Sequence, residues 1–183
     1  MTFGQLLAIV IGLLDRSGIP FMVTGSLASS YHGEPRATRD ADIVIDPSTD
    51  AIERLVDGLL AAGFYVDRDV ARGAVRARSQ FNAIGPDSTK VDFLIRRDRP
   101  FSVEEFARRR PADLLGTPGF VATAEDVILS KLEWAQASGS DRQLDDVAGI
   151  LAIATGLDLD YIDRWARVLG VERAWSAVRD DRT

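Results

Sequence analysis

The sequence lacks cysteine and contains a single histidine. Without cysteine there is no disulfide framework, no thiolate metal site and no cysteine nucleophile, and the cytoplasm is the simplest location to expect. The lone histidine, His32, is a poor candidate for a metal ligand. We expect it to form a hydrogen bond at the end of a helix or to support the loop that follows.

Long hydrophobic runs and a positive net charge are also missing. The apolar run from Leu6 to Leu14 is interrupted by Gly12, follows no basic leader and is too short to span a bilayer, so it predicts a helix packed on the core. The formal net charge of −6 argues against broad, nonspecific binding to nucleic acid. We therefore expect a protein that neither spans a membrane nor coats nucleic acid.

Hydrophobic periodicity predicts a mixed α/β core in the first part of the chain. Ser48 or Asp50 is expected to cap one of its helices. The predicted elements are helices at 3–17, 26–31 and up to about Ala62, and strands at 20–24, 41–46, 74–84 and 90–95, the last two forming a hairpin.

Strand signals become sparse after residue 102, where the pattern favours helices at 102–109, 124–137, 141–154 and 159–178. We therefore predict an α/β (α+β) fold, with a mixed sheet that has helices on one face. We predict a core over residues 1–118 and a helical part over residues 119–183. A chain of 183 residues is short enough for both parts to belong to one domain.

Three acids are expected to share the polar face of this sheet. Strand side chains alternate, so Asp40 and Asp42 point the same way, and Asp92 joins them if its strand is a neighbour. Converging carboxylates repel one another unless a cation lies between them, and oxygen ligands favour Mg²⁺ or Mn²⁺. An Asp-x-Asp pair alone is equally typical of a solvated edge strand. The same face is predicted to carry Arg76, Arg78, Gln80 and Asn82.

A Gly-Ser pair, Gly25-Ser26, leads from the strand 20–24 into a short helix. The unpaired N–H groups and the dipole of a helix N-terminus favour phosphate, and glycine allows a ligand to approach the backbone. Such a pair is also common as a turn with an N-cap. Arg36 and Arg39, beside the first acid, suit either phosphate or salt bridges to nearby acids. Together these pieces describe a nucleoside-triphosphate site.

In this order and spacing, Thr24-Gly25-Ser26, Asp40-Ala41-Asp42 and Asp92 resemble the signature of the DNA polymerase β-like nucleotidyltransferase superfamily. The residues between the first two motifs are similar to small prokaryotic proteins related to the AbiEii/AbiGii toxin group. AEDVILSKLEW and SDRQLDDVAGIL resemble later elements of that group. The resemblance covers about residues 20–152.

The resemblance implies a nucleotidyltransferase-type sheet with an open active face and Mg²⁺-dependent transfer of a nucleotide from an NTP to an acceptor hydroxyl. Asp40 and Asp42 would hold both metal ions, and Asp92 would hold the catalytic ion and help to activate the acceptor. Gly25 and Ser26 would hold the triphosphate.

The resemblance also assigns nucleotide-binding roles further along the chain, where Lys131 would pair with a phosphate and Asp146 matches the later acid of the group. The acceptor would be RNA, such as a tRNA 3′ end, or a protein hydroxyl. By the same analogy the protein would be the toxin of a toxin–antitoxin pair, with an antitoxin protein as partner.

Less specific interpretations remain open for several of these residues. Lys131 is alternatively a surface lysine whose stem covers apolar area. Trp134, Trp165 and Trp175 are typical of a core or an interface rather than of base stacking. The whole chain is alternatively a nucleotide-binding or partner-binding module that keeps the fold without performing transfer.

Overall fold

The computed structural model describes residues 1–35, 37–38 and 40–180. The predictions made for Arg36 and Arg39 lie outside these residues. The chain forms two compact units, of which the first contains Met1–Thr24 and Thr38–Val121, and the second contains Gly25–Ala37 and Ala122–Thr183. The predicted boundary at residue 118 stays a prediction.

The described strands form one mixed sheet, which lies within the first unit. They are β1 (Phe21–Thr24), β2 (Asp40–Ile45), β3 (Tyr65–Val66), β4 (Gln80–Ile84), β5 (Lys90–Ile95), β6 (Arg110–Leu114) and β7 (Thr117–Val121). Their order across the sheet is β3-β4-β5-β2-β1-β7-β6. The β2–β5 and β1–β7 pairs are parallel and the other neighbours are antiparallel.

Helices precede, separate and follow these strands. They are α1 (Phe3–Ser17), α2 (Gly25–His32), α3 (Thr49–Ala61), α4 (Arg68–Ala77), α5 (Pro100–Arg108), α6 (Ala124–Ser138), α7 (Asp141–Ile153), α8 (Leu159–Leu169) and α9 (Glu172–Asp180). The predicted helix ends are confirmed where capping is strong: Thr2 and Gln5 form a capping box before α1, and Ser48 caps α3.

One face of the sheet is the core of the first unit. In the first unit, α1 packs against α3 and β7, and α3 against α4. The apolar side of the alternation is buried throughout, and each of its valine, isoleucine and phenylalanine side chains contributes about 1.5–3 kcal/mol to stability. Its residues are Ala41, Ile43, Ile45, Phe81, Ala83, Val91, Phe93 and Ile95.

The strand predicted at 74–84 is wrong in its first part, which belongs to α4. Asp67 caps this helix by accepting two backbone N–H groups of the first turn. Ala71 and Ala74 are buried at helical spacing, and alanine and arginine are strong helix formers. Small residues alternate with polar ones in this segment, a pattern that is typical of a strand. Only Gln80–Ile84 is extended.

The hairpin of β6 and β7 was not predicted. Both strands contain proline, and β7 also contains glycine, so no local propensity indicates them. Pro111 is tolerated because β6 is an edge strand, where a missing N–H costs no ladder hydrogen bond. Their place in the sheet depends on a long-range pairing, in which Val121 aligns with Val23 of β1.

The second unit is helical in its described residues. Helix α2 packs against α6 and α7, although it precedes them by about ninety residues in the chain. The single helix predicted at 159–178 is interrupted, because Gly170 adopts φ 72° and ends α8. No helix of the described chain combines the length and apolar character needed to cross a bilayer.

Candidate functional site

Strand register places acidic residues side by side on the face of the sheet opposite the core. Asp42 of β2 is directly opposite Asp92 of β5, and Asp40 is opposite Lys90. Residues directly opposite on neighbouring strands point to the same face, as do Asp40 and Asp42 two positions apart. The predicted placement of the three acids on one face is therefore confirmed, while their roles stay predictions.

Polar groups continue from this acidic pair onto the flanking strands. Thr24, the last residue of β1, is opposite Asp42, and Asn82 of β4 is opposite Asp92. Four neighbouring strands thus contribute one row of side chains, of which Thr24 is buried and Asn82 is exposed. Such a row offers hydroxyl, carboxylate and amide groups to a polar ligand.

Lys90 supplies a positive charge to this acidic face. Its Nζ lies 2.7 Å from Oδ2 of Asp92, and the two side chains are 40% and 18% exposed. The hydrogen bond to Asp92 raises the pKa of the Lys90 ammonium group, partial burial opposes this, and the charges of Asp92, Asp40 and Asp42 add to the rise. Lys90 lies two residues before Asp92 on β5, a spacing that puts both side chains on one face.

A separate ion-pair cluster lies beyond the carboxyl ends of β2 and β5. Asp46 accepts from Arg78 Nη1 at 2.8 Å and from Arg96 Nε at 3.0 Å. Partial burial raises the pKa of the Asp46 carboxyl, but these hydrogen bonds and charges outweigh it and leave the pKa below its usual value. Asp46 is thus committed to structural pairing.

Two of the cationic residues predicted on the acidic face lie elsewhere. Arg76 belongs to α4, and Arg78 caps that helix in the left-handed region at φ 49°. The helix replaces the predicted strand at these positions, so the alternation that put them beside the acids does not apply. Gln80 and Asn82, which are in β4, are placed as predicted.

The three carboxylates have the donor chemistry that suits a divalent cation, and strand register places them on one face. Oxygen donors are those that Mg²⁺ and Mn²⁺ prefer, and the two strands that carry them lie about 4.8 Å apart. Among the described residues, no three acidic or histidine side chains already converge closely enough to hold an ion. Because Lys90 engages Asp92, that carboxylate would have to exchange partners to join such a site.

Gly25 and Ser26 form the first turn of α2, directly after Thr24 in the chain. Gly25 has φ 63°, a conformation that favours glycine over other residues. Within the turn, Ser29 Oγ donates to the carbonyl of Ser26 at 3.0 Å. The structure thus confirms a strand-to-helix connection at the predicted Gly-Ser pair, whereas its binding of phosphate stays a prediction.

Lys131 and Asp146 contact each other across α6 and α7. Lys131 Nζ donates to Asp146 Oδ2 at 2.5 Å, and the side chains are only 6% and 8% exposed. The alternative interpretation of Lys131 as a surface lysine is therefore wrong. Asp145, in contrast, is exposed. The pair that the resemblance singled out is a buried ion pair, and its contact with a phosphate stays a prediction.

The His32-Gly33 pair stabilises the helical unit. His32 Nε2 donates to the carbonyl oxygen of Ala122 at 2.7 Å, which joins the end of α2 to the segment before α6. A Cβ atom on Gly33 would lie 2.7 Å from the backbone nitrogen of Ile150, so only glycine allows this close approach. The predicted structural role of His32 is confirmed.

The tryptophans divide into two classes. Trp165 and Trp175 are buried, as expected for core residues. Trp134 is 56% exposed, so it is not part of the core, and the alternative that it belongs to an interface stays a prediction.

Comparison with known proteins supports the fold through structure rather than through sequence. The sequence matches no protein-family model, and a search of curated proteins gave no significant match. The solution structure of the antibiotic-resistance factor ANT(2'')-Ia is similar, with a TM-score of 0.61 and 12% identity over 97% of this chain and 93% of that chain.

Two further solved structures share the architecture. An antigenic nucleotidyltransferase-like protein from Paracoccidioides brasiliensis has a TM-score of 0.57 and 16% identity over 96% of this chain and 91% of that one. The lincosamide antibiotic adenylyltransferase LnuA, bound to lincomycin, has a TM-score of 0.57 and 11% identity over 82% and 97%. The chain therefore has a nucleotidyltransferase-type fold, whereas its predicted membership of the AbiEii/AbiGii group stays a prediction.

Proposed function

We propose that the protein is a metal-dependent nucleotidyltransferase, which moves a nucleoside monophosphate from an NTP to an acceptor hydroxyl group. One observation carries this proposal. On a nucleotidyltransferase-type sheet, β2 and β5 place Asp42 beside Asp92, with Asp40 on the same face. Three neighbouring carboxylates repel one another unless a cation is bound. Cation binding in a metal-dependent enzyme would account for their placement.

In the proposed reaction, the acceptor oxygen forms a bond to the α-phosphorus of the NTP. The bond from that phosphorus to the oxygen bridging to the β-phosphate breaks, and pyrophosphate leaves. Asp92 accepts the hydroxyl proton directly or through water. Asp40 and Asp42 would hold two divalent cations, Mg²⁺ or Mn²⁺, and Asp92 would hold the catalytic one; when bound, these ions offset triphosphate charge and lower the pKa of the acceptor hydroxyl.

In this proposal the triphosphate binds to hydrogen-bond donors at the N-terminus of α2. The backbone N–H groups at Gly25 and Ser26 and the Ser26 hydroxyl suit phosphate oxygens. The resemblance to the AbiEii/AbiGii group also supports Lys131 and Asp146 as nucleotide-binding residues. For Lys131 this role requires that the ammonium group contact a phosphate in addition to Asp146.

The acceptor we propose first is an RNA, such as a tRNA 3′ end, or a protein hydroxyl. This assignment follows from the same resemblance, which also suggests a toxin neutralised by an antitoxin protein. Growth arrest on induced expression, absent for the variant Asp40→Asn/Asp42→Asn, would support a toxin. Normal growth with soluble, active protein in the cell would contradict it.

A small-molecule hydroxyl is a second candidate acceptor. The similar fold of ANT(2'')-Ia has been solved with adenylyl-2''-tobramycin, and LnuA with lincomycin. The similarity to ANT(2'')-Ia covers the whole of this chain, so a small molecule with a hydroxyl group is worth testing as an acceptor.

Transfer of label tests the proposal. The protein is incubated with Mg²⁺ and each NTP labelled at the α-phosphate, with total RNA, cell protein, tobramycin or lincomycin as acceptor. We expect label on one acceptor class with the wild type and none with Asp40→Asn/Asp42→Asn. A parallel reaction labelled at the γ-phosphate should leave the acceptor unlabelled, because pyrophosphate carries that label away.

The alternative is a silent module that binds a nucleotide or a partner without transfer. In such a module the contact between Lys90 and Asp92 would persist and would keep that carboxylate from a cation. The module predicts NTP binding with no labelled product for any acceptor or metal ion. Product that depends on Asp92 would exclude it.

A further inference from the structure

Lysine is rare in this chain, which makes its position on the acidic face informative. The sequence has 22 lysine and arginine residues, and Lys90 and Lys131 are the two lysines among them. Lysine differs from arginine in presenting a compact charge on a flexible stem, which can change partners with little geometric penalty. At residue 90, such a charge stands in register with Asp40 and contacts Asp92.

We propose that Lys90 is a tethered competitor of the divalent cation, occupying the Asp92 carboxylate until a metal ion displaces it. The inference rests on the proposed function, because it assumes that Asp40, Asp42 and Asp92 bind the metal ion. It assigns to Lys90 a role in setting the affinity of that site. Lys90 is a positioning residue in this account, since it acts through Asp92.

The geometry gives the competition its physical basis. The ammonium group takes Oδ2 of Asp92 at 2.7 Å, an oxygen that the metal ion would also need. Asp40 and Asp42 attract the same ammonium, so one positive charge partly offsets three negative ones. A divalent ion offers twice that charge, and its arrival would repel the ammonium from the group.

The exposure of the pair allows the exchange. Lys90 is 40% exposed, so its ammonium group can turn into water without leaving a buried charge unpaired. The contact also holds the carboxylate of Asp92 beside its own strand in the absence of metal. Removing the ammonium group should therefore strengthen the binding of the metal ion, whereas a structural support for Asp92 would have the opposite effect on removal.

Titration with Mn²⁺ alone, followed by the electron paramagnetic resonance signal of the unbound ion, tests the inference without any substrate. We expect Lys90→Met to bind Mn²⁺ about three- to tenfold more tightly than the wild type. Lys90→Arg keeps a cation and should stay within about twofold of the wild type. Lys90→Thr suits a strand and repeats the test if the methionine variant folds poorly.

The matched control is Arg97→Met, which changes the net charge equally at an exposed residue beyond the end of β5. Its affinity for Mn²⁺ should match the wild type within about twofold, because salt screens charges separated by more than about 8–10 Å. An equal gain in Arg97→Met would attribute the effect to net charge and overturn the inference.

The remaining outcomes separate this inference from the proposed function. Wild type that binds Mn²⁺, with Lys90→Met binding equally or more weakly, overturns the competition alone. Binding to neither protein, or binding that survives Asp40→Asn/Asp42→Asn, removes the proposed metal site and the inference with it. Thermal melting gives a second readout, in which Mn²⁺ should raise the Tm of Lys90→Met more than that of the wild type.

Discussion

The two lysines of this protein form chemically identical ion pairs in very different surroundings. On the sheet, Lys90 and Asp92 are 40% and 18% exposed and 2.7 Å apart. In the helical unit, Lys131 and Asp146 are 6% and 8% exposed and 2.5 Å apart. Residue types are the same in the two contacts, so what distinguishes them is access to water.

The buried pair has no inexpensive alternative state. Removal of one partner breaks a charge pair in a low-dielectric environment, which typically costs about 3–5 kcal/mol. The exposed pair can separate into water, and such pairs typically contribute about 0.2–1 kcal/mol. A binding site needs groups that can change partners, so the sheet face is the better candidate for chemistry.

The largest expected effect concerns that face. Asp40→Asn/Asp42→Asn should reduce nucleotide transfer by about 10³-fold or more, because the cation and the charge it stabilises would both be lost. Stability in the absence of metal should be unchanged or increased, since two repelling charges disappear. Initial rates with α-labelled NTP and urea unfolding measure both quantities.

Asp46→Asn is the control for this prediction, because Asp46 lies just beyond the same strand but pairs with Arg78 and Arg96. It should lose stability and keep most of its transfer rate. An equal loss of rate in Asp46→Asn would indicate that general disruption of β2, rather than cation binding, explains both results.

The next effect concerns the buried pair. Lys131→Met should lower the free energy of unfolding by about 3–5 kcal/mol, because the Asp146 carboxylate would remain in a buried position without its ammonium partner. Urea unfolding measures the loss. The double change Lys131→Met/Asp146→Leu should recover much of it, since a buried pair can often be replaced by apolar side chains.

The recovered double variant also tests the proposed role of Lys131 in nucleotide binding. If Lys131 contacts phosphate, NTP affinity should stay reduced although stability returns. If affinity returns with stability, the pair is structural and the role implied by the resemblance is wrong.

A smaller effect is expected for the exposed pair. Lys90→Met should change the free energy of unfolding by no more than about 1 kcal/mol in the absence of metal. The same denaturant experiment, in buffer that contains EDTA, compares it with Lys131→Met. A loss comparable to that of Lys131→Met would remove the contrast between the two pairs.

The smallest effect concerns a partly exposed ion-pair network between α3 and α4, which contains no lysine. Hydrogen bonds from Arg72 and Arg68 lower the pKa of Glu53 from 4.5 to about 2. A depressed pKa means that the carboxylate stabilises the fold above pH 4.5, and that this contribution is lost as the pH falls toward 2.

The variant Glu53→Gln measures this contribution. Its Tm should lie below that of the wild type at neutral pH, and the difference should shrink as the pH falls from about 5 to about 2. A difference that is constant over this range would show that the carboxylate charge does not contribute.

The acidic face was predictable because its cause is local. Alternation along β2 and β5 put Asp40 and Asp42 on one face and Asp92 on the corresponding face of its strand, and the assumption that the two strands are neighbours is confirmed. The Lys90 contact could have been found by the same rule, since residues two apart on a strand share a face.

Other features depend on contacts that no short segment encodes. The β6–β7 hairpin has proline and glycine in place of strand formers, and its pairing with β1 joins residues almost a hundred positions apart. Residues 74–77 belong to the helix at 68–77 but also follow the alternation of a strand, so periodicity alone did not identify the helix. The assignment of α2 to the helical unit likewise depends on a distant contact, in which Gly33 meets Gly149 and Ile150.

Calorimetric titration of each NTP in the presence of Mg²⁺ tests most directly whether the sheet face is a nucleotide site. The account predicts binding of at least one NTP to the wild type, dependent on Mg²⁺ and abolished in Asp40→Asn/Asp42→Asn. The control Asp46→Asn should bind the same NTP. Binding that persists without Mg²⁺ or in the double variant, or no binding of any NTP to the wild type, would contradict the account.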